Sequence, residues 1–205
     1  ATVDRPELPM HLQMGGSGTA IVLDDAELDR AVYEVMVGAF LTAGQRHNST
    51  GRVLVTEGIY QAFVEHLVRR TLRLSIGYAT DDDVFMGPVI SENMRTRYRR
   101  FSRSLTAKGH IPLCEAAHDN PSRRGFYVRP AIYRVNWDNG APFLDEEPPG
   151  PTLLLYKVKS WEEAAALHNQ ASFRLATSVF TAPDNPLLPE IADRLRTVAL
   201  NLNRG

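Results

Sequence analysis

Short apolar runs rich in β-branched residues alternate with capped amphipathic helices along this chain. That alternation restricts the fold more than any other feature of the sequence. Thr19–Leu23 (TAIVL) lacks the in-and-out polarity of a half-solvated strand, so it predicts a strand buried on both faces. Asp24 with Glu27 three residues on is a capping-box pattern, in which each carboxylate serves a free N–H at a helix start. The helix it announces carries Leu28, Ala31, Val32, Val35, Met36, Ala39 and Phe40 on one face and runs out near Gly44. Arg52–Val55 (RVLV) reads as the next strand. Thr56 then caps a helix that faces Ile59, Phe63, Leu67 and Leu72 inward, and Ser91 caps another that faces Met94, Tyr98, Phe101 and Leu105 inward.

Further on, Phe126–Val135 and Thr152–Val158 read as strands separated by the turn-rich Asp138–Pro151. Ser160 and Glu163 form a second capping box ahead of Trp161–His168. Ala176–Thr181 is a strand, and a helix near Pro189–Arg196 leads into a last strand, Thr197–Asn203. Strands linked by helices of this length predict one α/β domain over residues 1–205. Its expected architecture is three-layer α/β/α, with a mostly parallel sheet covered on both faces.

Composition excludes several classes of function. Lys and Arg total 23 against 24 Asp and Glu, so no charge imbalance favours nucleic acid or an anionic membrane. No apolar run approaches the ~20 residues of a membrane helix. A single cysteine, Cys114, forbids an internal disulfide and points to a reducing, cytoplasmic setting. The first residues are polar, carry Pro6 and Pro9 and do not begin with Met, which suggests a processed product or a piece of a longer protein.

Some local patterns carry little. Gly15, Gly16 and Gly18 precede a strand, whereas a dinucleotide fingerprint follows one, so they read as a tight turn. His110, Cys114 and His118 are spaced by fours, but Pro112 breaks the helix that would bring them to one metal ion. Arg95, Arg97, Arg99, Arg100 and Arg103 read as a solvated helix face. Cys114 has no basic cluster beside it in sequence and reads as a packed, inert thiol.

Four stretches in order say more: LQMGG at 12–16, FLTAGQRH at 40–47 followed by RVLV, MGPVIS at 86–91, and EEPPGP at 146–151 followed by ATSVFT at 176–181. Together they resemble the catalytic domain of the aldehyde dehydrogenase superfamily from about Leu8 to Asn203, with the succinylglutamate semialdehyde branch as the nearest match. The resemblance implies covalent catalysis. A cysteine thiolate adds to the aldehyde, hydride passes to NAD or NADP, and a glutamate base activates the water that hydrolyses the thioester.

In this sequence His47 stands at the nucleophile position of GQRC and Gln13 at the base position of ELGG. Imidazole lacks the thiolate route, and an amide takes no proton at neutral pH. Glu147 matches the glutamate that holds the nicotinamide ribose, while Pro149 replaces the phenylalanine that packs on the ring. That makes Glu147 a vestigial cofactor contact. The family's Rossmann-type NAD-binding half is absent from this chain, so the expectation is that no cofactor binds to it alone. The resemblance thus implies a domain of oxidoreductase lineage that is catalytically degenerate and kept for assembly or ligand binding, or else a fragment of a divergent NAD(P)-dependent semialdehyde dehydrogenase. His47 with Asn48, Ser49 and Thr50 also admits a histidine-based esterase, although no carboxylate in the cluster orients the ring. Thr197–Asn203 matches the strand through which family members assemble, so a homo-oligomer is expected, with no nucleic-acid or membrane partner.

Overall fold

The computed structural model describes residues 16–78, 80–117, 124–135 and 146–205. Seven strands form one sheet in the order β3-β4-β5-β2-β1-β6-β7. They are β1 (Gly18–Val22), β2 (Thr50–Thr56), β3 (Ile111–Cys114), β4 (Ala131–Arg134), β5 (Thr152–Val158), β6 (Ala176–Phe180) and β7 (Ala199–Leu202). Only β3 runs antiparallel to its neighbour. The helices are α1 (Leu28–Phe40), α2 (Glu57–Thr71), α3 (Glu92–Ala107), α4 (Trp161–Gln170) and α5 (Leu188–Arg194). The expected α/β fold with a mostly parallel sheet is the one observed.

Chain direction explains the layers. The step from β1 through α1 to β2 moves one way along the sheet, and the step from β5 through α4 to β6 moves the other way. Right-handed crossovers therefore put α1 and α4 on opposite faces. α2 packs with α1, and α5 packs with α4. The central strands β1 and β2 are buried at every residue, as their unbroken apolar runs require.

Several local expectations need correction. Leu72, expected to face inward, follows the last turn of α2 and is exposed. Glu27 alone caps α1, accepting from Arg30 N at 3.2 Å. Asp24 instead serves α2: its Oδ1 accepts from Thr56 Oγ1 at 2.5 Å and from Ile59 N at 3.2 Å. The end of β1 lies beside the end of β2 in the sheet, so the carboxylate reaches the neighbouring helix start. Phe126–Val135 is strand only at Ala131–Arg134, plus an isolated bridge from Phe126 to Val89. Pro130 has no N–H to donate and interrupts the ladder. Thr56 sits at the N-cap position of α2 but its hydroxyl donates to Asp24 and the Val22 carbonyl and caps nothing, whereas Ser91 Oγ accepts from Met94 N at 3.1 Å and Ser160 Oγ from Glu163 N at 3.4 Å, as expected. Arg174 adds a cap at the far end of α4, donating to the carbonyls of Asn169 and Ala171.

Candidate functional site

The motif segments meet at the amino ends of three neighbouring strands, β5, β2 and β1. Glycines set how closely they meet. A Cβ on Gly16 would fall inside the His47 carbonyl oxygen, so the chain two residues before β1 lies flat on the turn before β2. Gly44 has φ +65°, and a Cβ there would overlap the Gly150 carbonyl, joining the turn before β2 to the loop before β5. A Cβ on Gly51 would lie 2.5 Å from Ser17 Oγ and 3.1 Å from the Pro148 ring.

Hydrogen bonds then fix each loop. Gly18 N donates to Ser49 O at 2.8 Å. Ser49 closes a tight turn by donating from its N–H to Arg46 O at 3.0 Å and accepting from Arg46 N at its Oγ at 3.1 Å. His47 and Asn48 are left at the exposed tip of that turn. Among the described residues, nothing hydrogen-bonds the His47 ring, so no carboxylate there orients it for esterase chemistry. Gln45 Oε1 accepts from Ile90 N at 2.8 Å, which ties GQRH to MGPVIS. Thr152 Oγ1 donates to Pro149 O at 3.1 Å and shapes the loop carrying Glu147.

Packing this close leaves only about 10 Å³ between Gly16, Ser49, Glu147 and Gly150. The usable space lies beside it. A pocket of about 240 Å³ is lined by Gln45, Ile90, Met94, Arg97, Glu147 and Pro149 among others. The structure thus brings His47, Glu147 and Pro149 into one neighbourhood, while Gln13 falls outside the described residues. Sequence reasoning missed Arg97, which it placed on a solvated face. The signal available was its position, one and a half turns into the helix that follows MGPVIS.

Cys114 lies elsewhere. It is buried at the end of β3, three strands from β2, or about 14 Å along the sheet. Burial pushes its thiol up to about 11, so it is protonated at neutral pH. Among the described residues no group of three His, Cys, Asp or Glu can hold a metal ion, and His118 is not among those residues.

Residues 3–205 match the model of the aldehyde dehydrogenase family. An alpha-ketoglutaric semialdehyde dehydrogenase of Bacillus subtilis is 38% identical over 83% of this chain and 35% of its own length. A chloroplastic betaine aldehyde dehydrogenase of Beta vulgaris is 30% identical over 84% of this chain and 34% of its own. The structure of a betaine aldehyde dehydrogenase from Staphylococcus aureus in complex with NAD+ superposes with a TM-score of 0.86 at 26% identity, covering 93% of this chain and 38% of that one. The chain therefore spans about a third of the curated relatives it matches. These relatives are alpha-ketoglutaric semialdehyde and betaine aldehyde dehydrogenases, not the succinylglutamate semialdehyde branch read from the motifs. On the order and convergence of its motifs and on these matches, the chain belongs to the aldehyde dehydrogenase family.

Proposed function

We propose that this chain is an aldehyde dehydrogenase catalytic-type domain that has lost covalent dehydrogenase chemistry and serves assembly or ligand binding. One observation supports this most. The residue at the tip of the nucleophile turn is His47, and the only cysteine of the chain is buried three strands away. A thiohemiacetal needs a thiolate within bonding distance of the aldehyde, and Cys114 is neither ionised nor near. Gln13 at the base position removes the second requirement, a group that takes a proton from water.

A nicotinamide cofactor, when bound, would supply the hydride acceptor. The residues present fit its ribose end alone. Glu147 could accept from ribose hydroxyls, Arg97 lines the same pocket, and Pro149 offers no aromatic face. A space of 240 Å³ is below the ~300–1,000 Å³ of sites that hold whole cofactor-sized ligands. Glu147 is thus a vestigial contact, and the chain alone holds no dinucleotide.

A second reading is favoured by the coverage of about a third and by the 38% identity to a semialdehyde dehydrogenase. It makes the chain one part of a divergent NAD(P)-dependent enzyme acting on an aldehyde that bears a carboxylate. One assay tests the first reading. The purified chain is incubated with NAD or NADP and a panel of aldehydes that includes betaine aldehyde and alpha-ketoglutaric semialdehyde. The first reading expects no reduced cofactor above the no-enzyme rate. Steady production that His47→Ala abolishes would overturn it.

Assembly is proposed through 197–203. β7 is a sheet edge, with Val198, Ala199, Leu200 and Leu202 exposed. An apolar edge with unpaired backbone groups recruits another strand. Light scattering is expected to give a dimer for the wild-type chain and a monomer for the Leu200→Lys, Leu202→Lys double variant. A wild-type monomer at high concentration would refute the interface. The cytoplasmic setting is likewise a proposal, resting on the reduced thiol. Among the described residues no helix is long and apolar enough to cross a membrane.

A further inference from the structure

The outer face of α3 is basic without interruption. Residues 93–114 contain six Lys and Arg and no Asp or Glu. The whole chain carries a net charge of -1, so everything outside that stretch carries -7. Met94, Tyr98, Phe101 and Leu105 set the inward face of the helix. At about 100° per residue, Arg100 and Arg103 fall opposite that face and Arg97 at its flank, and all three are exposed. Arg97 borders the small pocket beside Glu147, and Arg103 borders a cleft of about 680 Å³ toward β3. Thr96, Ser104 and Ala107 lie among the three, so the ground between the guanidiniums is low.

Elsewhere the surface helices balance their charges. Glu57 of α2 pairs with Lys157, and Arg70 of α2 pairs with Asp29 of α1. On α3 only the first turn does so, where Arg95 pairs with Glu92. Among the described residues, Arg97, Arg100 and Arg103 have no ion pair and no hydrogen bond from their side chains. Like charges three residues apart repel on a helix surface. A solvated face relieves that repulsion by mixing signs, and this face does not.

We propose that the Arg97, Arg100 and Arg103 face docks an acidic peptide segment of a partner protein. The arginines are spaced about 4.5 Å apart along the helix axis, and each offers a planar fork to a Glu or Asp carboxylate. Charge complementarity favours such a segment over nucleic acid or an anionic membrane. The three side chains span only about 9 Å of axis, and a longer polyanion would run on to a surface that is net acidic. Exposed ion pairs contribute little each, so the binding is weak and sensitive to salt. Arg100 and Arg103 lie outside the motif loops, so the face stands or falls independently of His47.

The test is fluorescence anisotropy of a rhodamine-labelled peptide of three Glu-Glu-Ala-Ala repeats, titrated with the purified chain. Saturable binding is expected with Kd at or below about 0.2 mM in about 20 mM salt, weakened about fivefold or more in about 200 mM salt. Arg100→Glu combined with Arg103→Glu should weaken it about tenfold or more. Arg69→Glu combined with Arg73→Glu makes the same change of charge on and just after α2, and should weaken it less than about threefold. Melting curves check that each variant is folded. Arg100→Gln combined with Arg103→Gln, expected to weaken binding about threefold or more, replaces the reversal if that variant is not. No saturable binding up to about 1 mM chain would overturn the proposal. So would equal binding of the peptide with Gln in place of Glu, or equal weakening by the α3 and α2 double variants. Tighter binding of a single-stranded oligonucleotide of the same charge would overturn it as well, and would assign the face to nucleic acid.

Discussion

Gly44→Ala is expected to cost this fold on the order of 4 kcal/mol, because it combines two penalties at one atom. The backbone at Gly44 is left-handed, with φ +65°, which costs an L-residue about 1–2 kcal/mol. The added methyl would also occupy the Gly150 carbonyl, a backbone group held in place by the start of β5. Gly150 itself has φ +63° and accepts from Thr152 N at 2.8 Å, so it cannot retreat without breaking that loop. Gly109→Ala is the matched control. Its φ is +80°, but nothing stands within 4 Å of the new Cβ, so only the conformational cost of about 1 kcal/mol applies. Urea denaturation of both variants reads the difference directly. A Gly44→Ala loss within about 1 kcal/mol of Gly109→Ala would mean that the motif loops do not abut as described. With total stabilities of about 5–15 kcal/mol, the expected loss puts the Gly44 variant near the edge of folding.

That contact also shows where the sequence could be read and where it could not. The strands of the centre were legible because TAIVL and TLLLY have only one possible home, between two layers of helices. The caps at Ser91 and Ser160 were legible because their partners lie three residues away. Asp24 was misread for the opposite reason: its partner, Ile59 N, is 35 residues away, and only the sheet order brings it close. The same limit applies at the candidate site. Spacing alone could not reveal that Gly16 lies on His47 or that Gly44 lies on Gly150, because each pair joins separate strands. Family resemblance supplied that neighbourhood, and the structure supplied its consequence, a filled junction beside a small pocket. Arg97 was lost among its neighbours because a run of arginines on one helix looks uniform until the helix is placed. Pocket-facing Arg97, cleft-facing Arg103 and ring-stacked Arg95 then separate.

The second large effect is a loss of stability in mild acid that originates at His168. This residue is 2% exposed on α4, where its Nε2 faces the Arg196 carbonyl and Thr177 Oγ1, each at 3.3 Å. A carbonyl only accepts, and the Thr177 hydroxyl donates onward to Thr197, so Nε2 carries the ring proton. Nδ1 is buried with no partner among the described residues, and a second proton there would have nowhere to point. Burial pushes the pKa of His168 down to about 4. The Arg196 carbonyl opposes that shift, and the positive charges of Arg174 and Arg52 add to it. The unfolded chain, with its ordinary value near 6.5, takes up this proton first as the pH falls. The contribution is therefore complete above about pH 6.5 and is lost progressively down to about pH 4, by about 3 kcal/mol in all. His168→Gln can still donate to the Arg196 carbonyl but cannot titrate. Its stability at pH 7 should lie slightly below that of the wild-type chain, and the two curves should converge or cross between pH 6.5 and 4. Carboxylates that titrate in the same window are common to both proteins and cancel in the difference. Parallel curves across that window would show that the ring is hydrated in the folded state, and with it that α4 does not seal the amino ends of β6 and β7.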